Sequence, residues 1–103
     1  MDRIATLNEI LAQDPDNTLA RYGLAMEYST LGQFDSALVE FRKLLSVNPD
    51  YAAAYFMAAQ ALVKAGRLED AKKMLVDGIA AAGRSRNSHA ASEMQEMLDD
   101  LSL

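Results

Sequence analysis

His89 is the only histidine of the chain, and no cysteine, second histidine or spaced carboxylate pair accompanies it. A metal centre needs three or four ligands at set spacings, so His89 reads as a surface or capping residue and no metal is expected. Nucleophilic catalysis fares no better, because no serine stands in a strand-to-helix elbow with a base in reach. Arg84 and Arg86 in "GRSRNS", residues 83 to 88, could hold an anion, but their setting is that of a solvated turn. Glu69 and Asp70 fall at a helix start, where carboxylates offset the positive end of the helix dipole. Asp99 and Asp100 fall near a helix end, where that dipole disfavours them, and the sequence offers no structural reason for the pair. The five glycines stand apart instead of forming a phosphate-binding loop. The chain is therefore expected to be no enzyme and to carry no cofactor.

If the side chains do no chemistry of their own, the surface they build must matter, and composition bounds that surface. The 103 residues are one domain's worth, and half of them are apolar, enough for a modest core. A net charge of -5 repels phosphate backbones and anionic lipid, so neither nucleic acid nor membrane is an expected partner. Without cysteine there is no disulfide framework, and packing alone must hold the fold. "MDRIATLNEILAQ" lacks the charged start and unbroken apolar run of a secretory signal, and a soluble protein in the cytoplasm is expected.

Apolar residues recur at three- and four-residue steps throughout, which is the spacing of a helix and not of a strand. Ile4, Leu7, Ile10 and Leu11 form the first stripe, on a helix expected over Asp2 to Gln13. Further helices are expected over Thr18 to Leu31, Phe34 to Val47, Ala52 to Ala65, Leu68 to Ala82 and His89 to Leu101. Pro49 blocks one helix near Asn48, and Asp50 is placed to cap the next. Gly32 supplies a left-handed turn, and Gly83 is expected to stop the fifth helix.

Pro49 follows Pro15 by 34 positions, and the same shift carries Ala20 to Ala54, Gly32 to Gly66, Ala37 to Ala71 and Phe41 to Leu75. It also carries Leu7 to Phe41 and Leu11 to Leu45, so the first helix matches the second half of a repeat. A pair of helices cannot bury its apolar stripe alone, so neighbouring pairs must stack. Ala37 and Ala71 are the small residues that let paired helices close up.

"LAMEY" (Leu24 to Tyr28), "GQFDSALVEF" (Gly32 to Phe41) and Pro49 together resemble the tetratricopeptide repeat, a helix-turn-helix unit of that period. Arg21 departs from the pattern where a large aromatic is usual, and in the second repeat Gly78 stands for alanine and Gly83 for proline. The resemblance implies an all-α fold, an α-solenoid of antiparallel helix pairs in a right-handed superhelix, with about six helices in one domain. Residues 1-15 would be a half repeat, 18-51 and 52-85 two repeats, and 86-103 a C-terminal capping helix. That last helix sets Ser92, Glu93, Glu96, Asp99 and Asp100 opposite its apolar stripe.

The resemblance also implies binding of a protein or peptide in a concave groove lined by the first helix of each pair. Carried over by position, the groove residues are Leu19, Tyr22, Met26 and Ser29, then Phe56, Met57, Gln60 and Val63. Each alone is core about as often as groove. Together they suit an apolar or amphipathic segment. The groove variant that grips chaperone-tail carboxylates places lysines and asparagines where Tyr22, Met26 and Met57 stand, so that ligand is argued against. The alternative is a self-associating module: the first helix would lack its partner, so part of the surface of Ile4, Leu7 and Leu11 would be uncovered and could build a homodimer, unless that helix tilts onto the first repeat. A piece of a longer repeat protein would read the same way.

Overall fold

The computed structural model describes residues 2–103, and in it the periodic segments are six helices. They are α1 (Arg3–Gln13), α2 (Thr18–Thr30), α3 (Phe34–Val47), α4 (Ala52–Lys64), α5 (Leu68–Arg84) and α6 (Ser88–Leu101). Among the described residues there is no strand. Short turns make successive helices antiparallel, and each packs on its sequence neighbours to give an α-solenoid measuring 42 × 29 × 18 Å. Alternate helices α2, α4 and α6 also touch in order, forming one row.

Local chemistry sets most of the boundaries. The side chains of Asp2, Asn17 and Asn87 accept from the amides of Ile4, Ala20 and Ala90 at 3.1, 2.9 and 3.1 Å, capping α1, α2 and α6. Gly32 (φ 75°) and Gly66 (φ 77°) take the left-handed conformation after α2 and α4. There the amides of Gln33 and Arg67 donate back to the carbonyls of Tyr28 and Leu62 at 2.9 and 2.8 Å, closing both helix ends.

Two boundary expectations are corrected. Asp50 does not cap α4: the helix starts at Ala52 with Tyr51 at the cap position, and the Asp50 carboxylate instead accepts from Arg84 Nε at 2.7 Å. Nor does Gly83 stop α5, which runs through it to Arg84. Ala81 and Ala82, both fully buried against α4 and α6, hold that turn helical against the glycine's weak propensity. The left-handed residue is Arg86 (φ 55°), followed by the same closing bond, Asn87 amide to Ala82 carbonyl at 2.8 Å.

Packing follows the small positions. Ala37 and Ala71 are both fully buried, and Phe41, Leu44 and Leu62 fill the space around them. Gly78 has a specific cause: a Cβ there would lie 2.5 Å from Met94 Sδ and 2.6 Å from Tyr55 Cβ. Only glycine lets α5 lie this close to both α4 and α6. At the other end, α1 packs on α2 alone, through Leu11, Ala20 and Leu24, with Ile4 and Leu7 against them. Of the three residues expected at a self-association surface, Leu11 is buried against α2 at 7% exposure, while Ile4 and Leu7 are half-buried there.

Arg21 explains its own departure from the repeat. Its guanidinium donates to Glu40 at 2.6 Å and to the Pro15 carbonyl at 2.8 Å, tying α2 to α3 and to the preceding turn. Tyr55, at the equivalent place in the second repeat, donates its hydroxyl to the Pro49 carbonyl at 2.6 Å. The two side chains do one job with different chemistry. Glu40 has Met74 as its repeat equivalent, so the second repeat carries an apolar pair where the first carries an ion pair. The Arg21 and Glu40 side chains are only 15% and 11% exposed, so removing one partner leaves a poorly hydrated charge. Glu40→Ala is expected to cost about 3 kcal/mol, whereas Arg21→Tyr with Glu40→Met, the pair of the second repeat, should be neutral or stabilising. Urea midpoints of the two variants decide the point, and equal losses would contradict it.

Candidate functional site

The row α2, α4, α6 carries the candidate site. Three alanines, Ala52, Ala53 and Ala90, are too short to fill the space between taller neighbours. What remains is a cleft of about 290 Å³ walled by Tyr22, Phe56 and Met57, with His89 and Glu93 at its α6 side. A second cleft, of about 440 Å³, lies between α1 and α2, where Leu7 and Ile10 face Leu19, Gly23 and Met26, with Arg3 at its rim. Tyr22 lines both clefts and forms the ridge between them.

Tyr22 is held rigidly. Its ring packs at a tilt on Tyr51 and Phe41, with centroids 5.6 and 6.3 Å away. Burial, and then the neighbouring Tyr51, push its phenol pKa above the ordinary tyrosine value. The ridge is therefore a neutral, amphipathic surface at physiological pH.

The eight residues expected in the groove are dispersed by the fold. Leu19 and Met26 belong to the α1 side and Phe56 and Met57 to the α6 side, while Tyr22 joins the two. Leu19 is 76% exposed. Ser29, Gln60 and Val63 are half-buried and stand outside both clefts, and the Ser29 hydroxyl is enclosed without a hydrogen-bond partner.

The α6 contribution was missed, because that helix reads as a polar end cap. Its start carries a signal nonetheless: Asn87 follows Tyr51, the preceding cap residue of the row, by 36 positions. That spacing is two more than the repeat period, so the alignment at 34 slides past Ala90 and Glu93. His89, expected on the surface, is 86% exposed along its side chain, and its Nε2 lies 3.1 Å from Glu93 Oε1 at the cleft edge. Arg84 holds Asp50 and the Pro49 carbonyl and is committed to the fold. Among the described residues no group of three or more metal-ligating side chains is assembled, and no helix is long and apolar enough to cross a membrane.

The tetratricopeptide repeat family model matches residues 28–92, more than half of the chain. This chain is a tetratricopeptide repeat protein. A TPR repeat-containing protein of Pseudomonas aeruginosa is 30% identical to it over 98 residues, covering 95% of this chain and 93% of that one. A solution structure of a Bordetella parapertussis protein superposes with a TM-score of 0.85 at 30% identity, over 99% of this chain and 89% of that one. The crystal structure of PcrH in complex with the chaperone binding region of PopD shares the fold, with a TM-score of 0.89 at 18% identity, over 96% of this chain and 75% of PcrH. Tetratricopeptide repeats are protein-interaction modules.

The raised Tyr22 pKa has a stability consequence. Protonation of the phenol is favoured in the folded state, so its contribution is complete below pH of about 10 and is lost as pH rises through the folded value. Melting temperatures followed into alkali should fall less steeply for Tyr22→Phe than for the wild type. Identical alkaline slopes would show that the ridge is not desolvated.

Proposed function

We propose that this protein binds a segment of a partner protein, peptide or helix, on the face formed by α2, α4 and α6. The observation that carries this reading is the convergence of Tyr22, Phe56 and Met57 on one cleft floored by alanines. Large, adaptable side chains around a preformed recess offer contact area at little ordering cost. A protein of the same fold, PcrH, has been crystallised with a region of PopD, which supports a peptide-like partner. Of the eight groove residues inferred from the sequence, Tyr22, Phe56 and Met57 are the ones this reading retains at its centre, and Leu19 and Met26 extend it toward α1. Ser29, Gln60 and Val63 remain at its margin.

Phe56 is the residue to change, because the Tyr22 ring packs on Phe41 and its loss would damage the core. Phe56→Ala should lower partner capture from a lysate at least about tenfold while the helical spectrum is retained. Undiminished capture of every partner would remove the cleft from the reading.

Self-association is a second reading, and the α1 end favours it. The expected dimer residues Ile4, Leu7 and Leu11 lean on α2, but Ile10 is 41% exposed and stands with Leu7 and Leu19 around the larger cleft. A two-fold contact would cover this patch with its own copy. Light scattering at tens of micromolar should then give a dimer mass that Ile10→Glu and Leu19→Glu together split. A monomer mass for the wild type rules the dimer out.

A further inference from the structure

The net charge of the protein is not spread over its surface. α6 contains Glu93, Glu96, Asp99 and Asp100 and neither lysine nor arginine, so this one helix holds four negative charges of a chain whose total is -5. At about 100° per residue, His89, Glu93, Glu96 and Asp100 fall within about 60° of one another. They form an exposed stripe that borders Met97 and lies about 100° or more from Met94 and Leu98, which pack on the core. His89 and Glu93 line the cleft, so the stripe flanks that opening. Asp99 lies next to this stripe, about 60° beyond Glu96, where Gln95 donates to it at 2.9 Å. The cleft lining itself contains one carboxylate and no lysine or arginine.

We infer that the segment held in this cleft is a cationic amphipathic one, with an apolar stripe seated on Phe56, Met57 and Tyr22 and lysines or arginines along Glu93, Glu96 and Asp100. The inference rests on the groove reading and names the chemistry of its ligand. Apolar burial supplies attachment, and the acidic stripe selects sign and orientation. An acidic segment would meet repulsion on the α6 side. A second copy of this chain is a poor occupant of the same cleft, because its own net charge has the wrong sign.

The probes are three short synthetic peptides measured by fluorescence anisotropy with the whole protein. The first is built of leucine and lysine with leucines at i, i+3, i+4 and i+7. The second has glutamate for lysine, and the third has the composition of the first in an order that mixes the two faces. The first should bind and weaken with salt, and the other two should bind at least about tenfold more weakly. The triple variant Glu93→Gln, Glu96→Gln and Asp100→Asn should lose about tenfold for the lysine peptide, since each exposed pair contributes modestly. Its fold is checked by an unchanged helical spectrum and melting temperature. If the lysine and glutamate peptides bind alike, or the triple variant binds as the wild type does, the charge inference is overturned. Should Phe56→Ala still weaken binding in that case, the groove reading survives. If the triple variant loses binding but Phe56→Ala does not, or if the mixed-face peptide binds equally, a diffuse acidic surface is responsible and both readings fall. A dimer mass abolished by Phe56→Ala would give the cleft to a second copy and overturn the inference as well.

Discussion

Close approach of helices over small residues is the constraint on which this structure depends. None of the six helices has enough apolar surface to be stable alone, and each must bury its stripe against neighbours. Ala37 and Ala71 permit that contact within each pair, and both are fully buried. Gly78 permits it both within its pair and toward α6, where even one added carbon would overlap Tyr55 of α4 and Met94 of α6. The bulky residues that fill the core, such as Phe41, Leu62 and Leu75, can reach across only because these three positions are small.

Repetition preserves geometry more faithfully than chemistry. Arg21 and Tyr55 both bridge to the carbonyl of the proline six residues earlier, one by a guanidinium and one by a phenol. The ion pair of the first repeat, Arg21 with Glu40, ties α2 to α3 in a place where the second repeat uses Tyr55 and Met74. A similar substitution occurs at the turns, where Gly32, Gly66 and then Arg86 take the left-handed conformation with the same closing hydrogen bond. What recurs is a position to be filled or a bond to be closed, and several side chains can meet either need.

The sixth helix combines a charged face with a wall of the cleft. The carboxylates of α6 give it a charged, exposed face. As the third member of the row α2, α4, α6, it also forms a wall of the cleft through His89, Ala90 and Glu93. Glu93 thus belongs both to the charged face of the helix and to the lining of the recess.

The sequence by itself determined what depends on spacing along the chain. Helical periodicity, the 34-residue shift, the small positions at Ala37 and Ala71 and the left-handed glycines at 32 and 66 are local or strictly periodic, and they were legible without coordinates. Family membership followed from the same positions. The candidate site was legible only in part: Tyr22, Phe56 and Met57 lie at periodic positions of α2 and α4, whereas His89, Ala90 and Glu93 sit behind a two-residue change of period. Only the tertiary structure decided that Arg21 pairs with Glu40, 19 residues away, and that Asp50 is drawn from its helix to Arg84, 34 residues on. It also decided that burial of Ala81 and Ala82 carries α5 past Gly83, and that the Tyr22 ring divides the recessed face into two clefts. Each of those outcomes depends on a contact with a distant segment that no local spacing encodes: opposite charges pair at Arg21–Glu40 and Asp50–Arg84, and apolar surface is buried at Ala81 and Ala82.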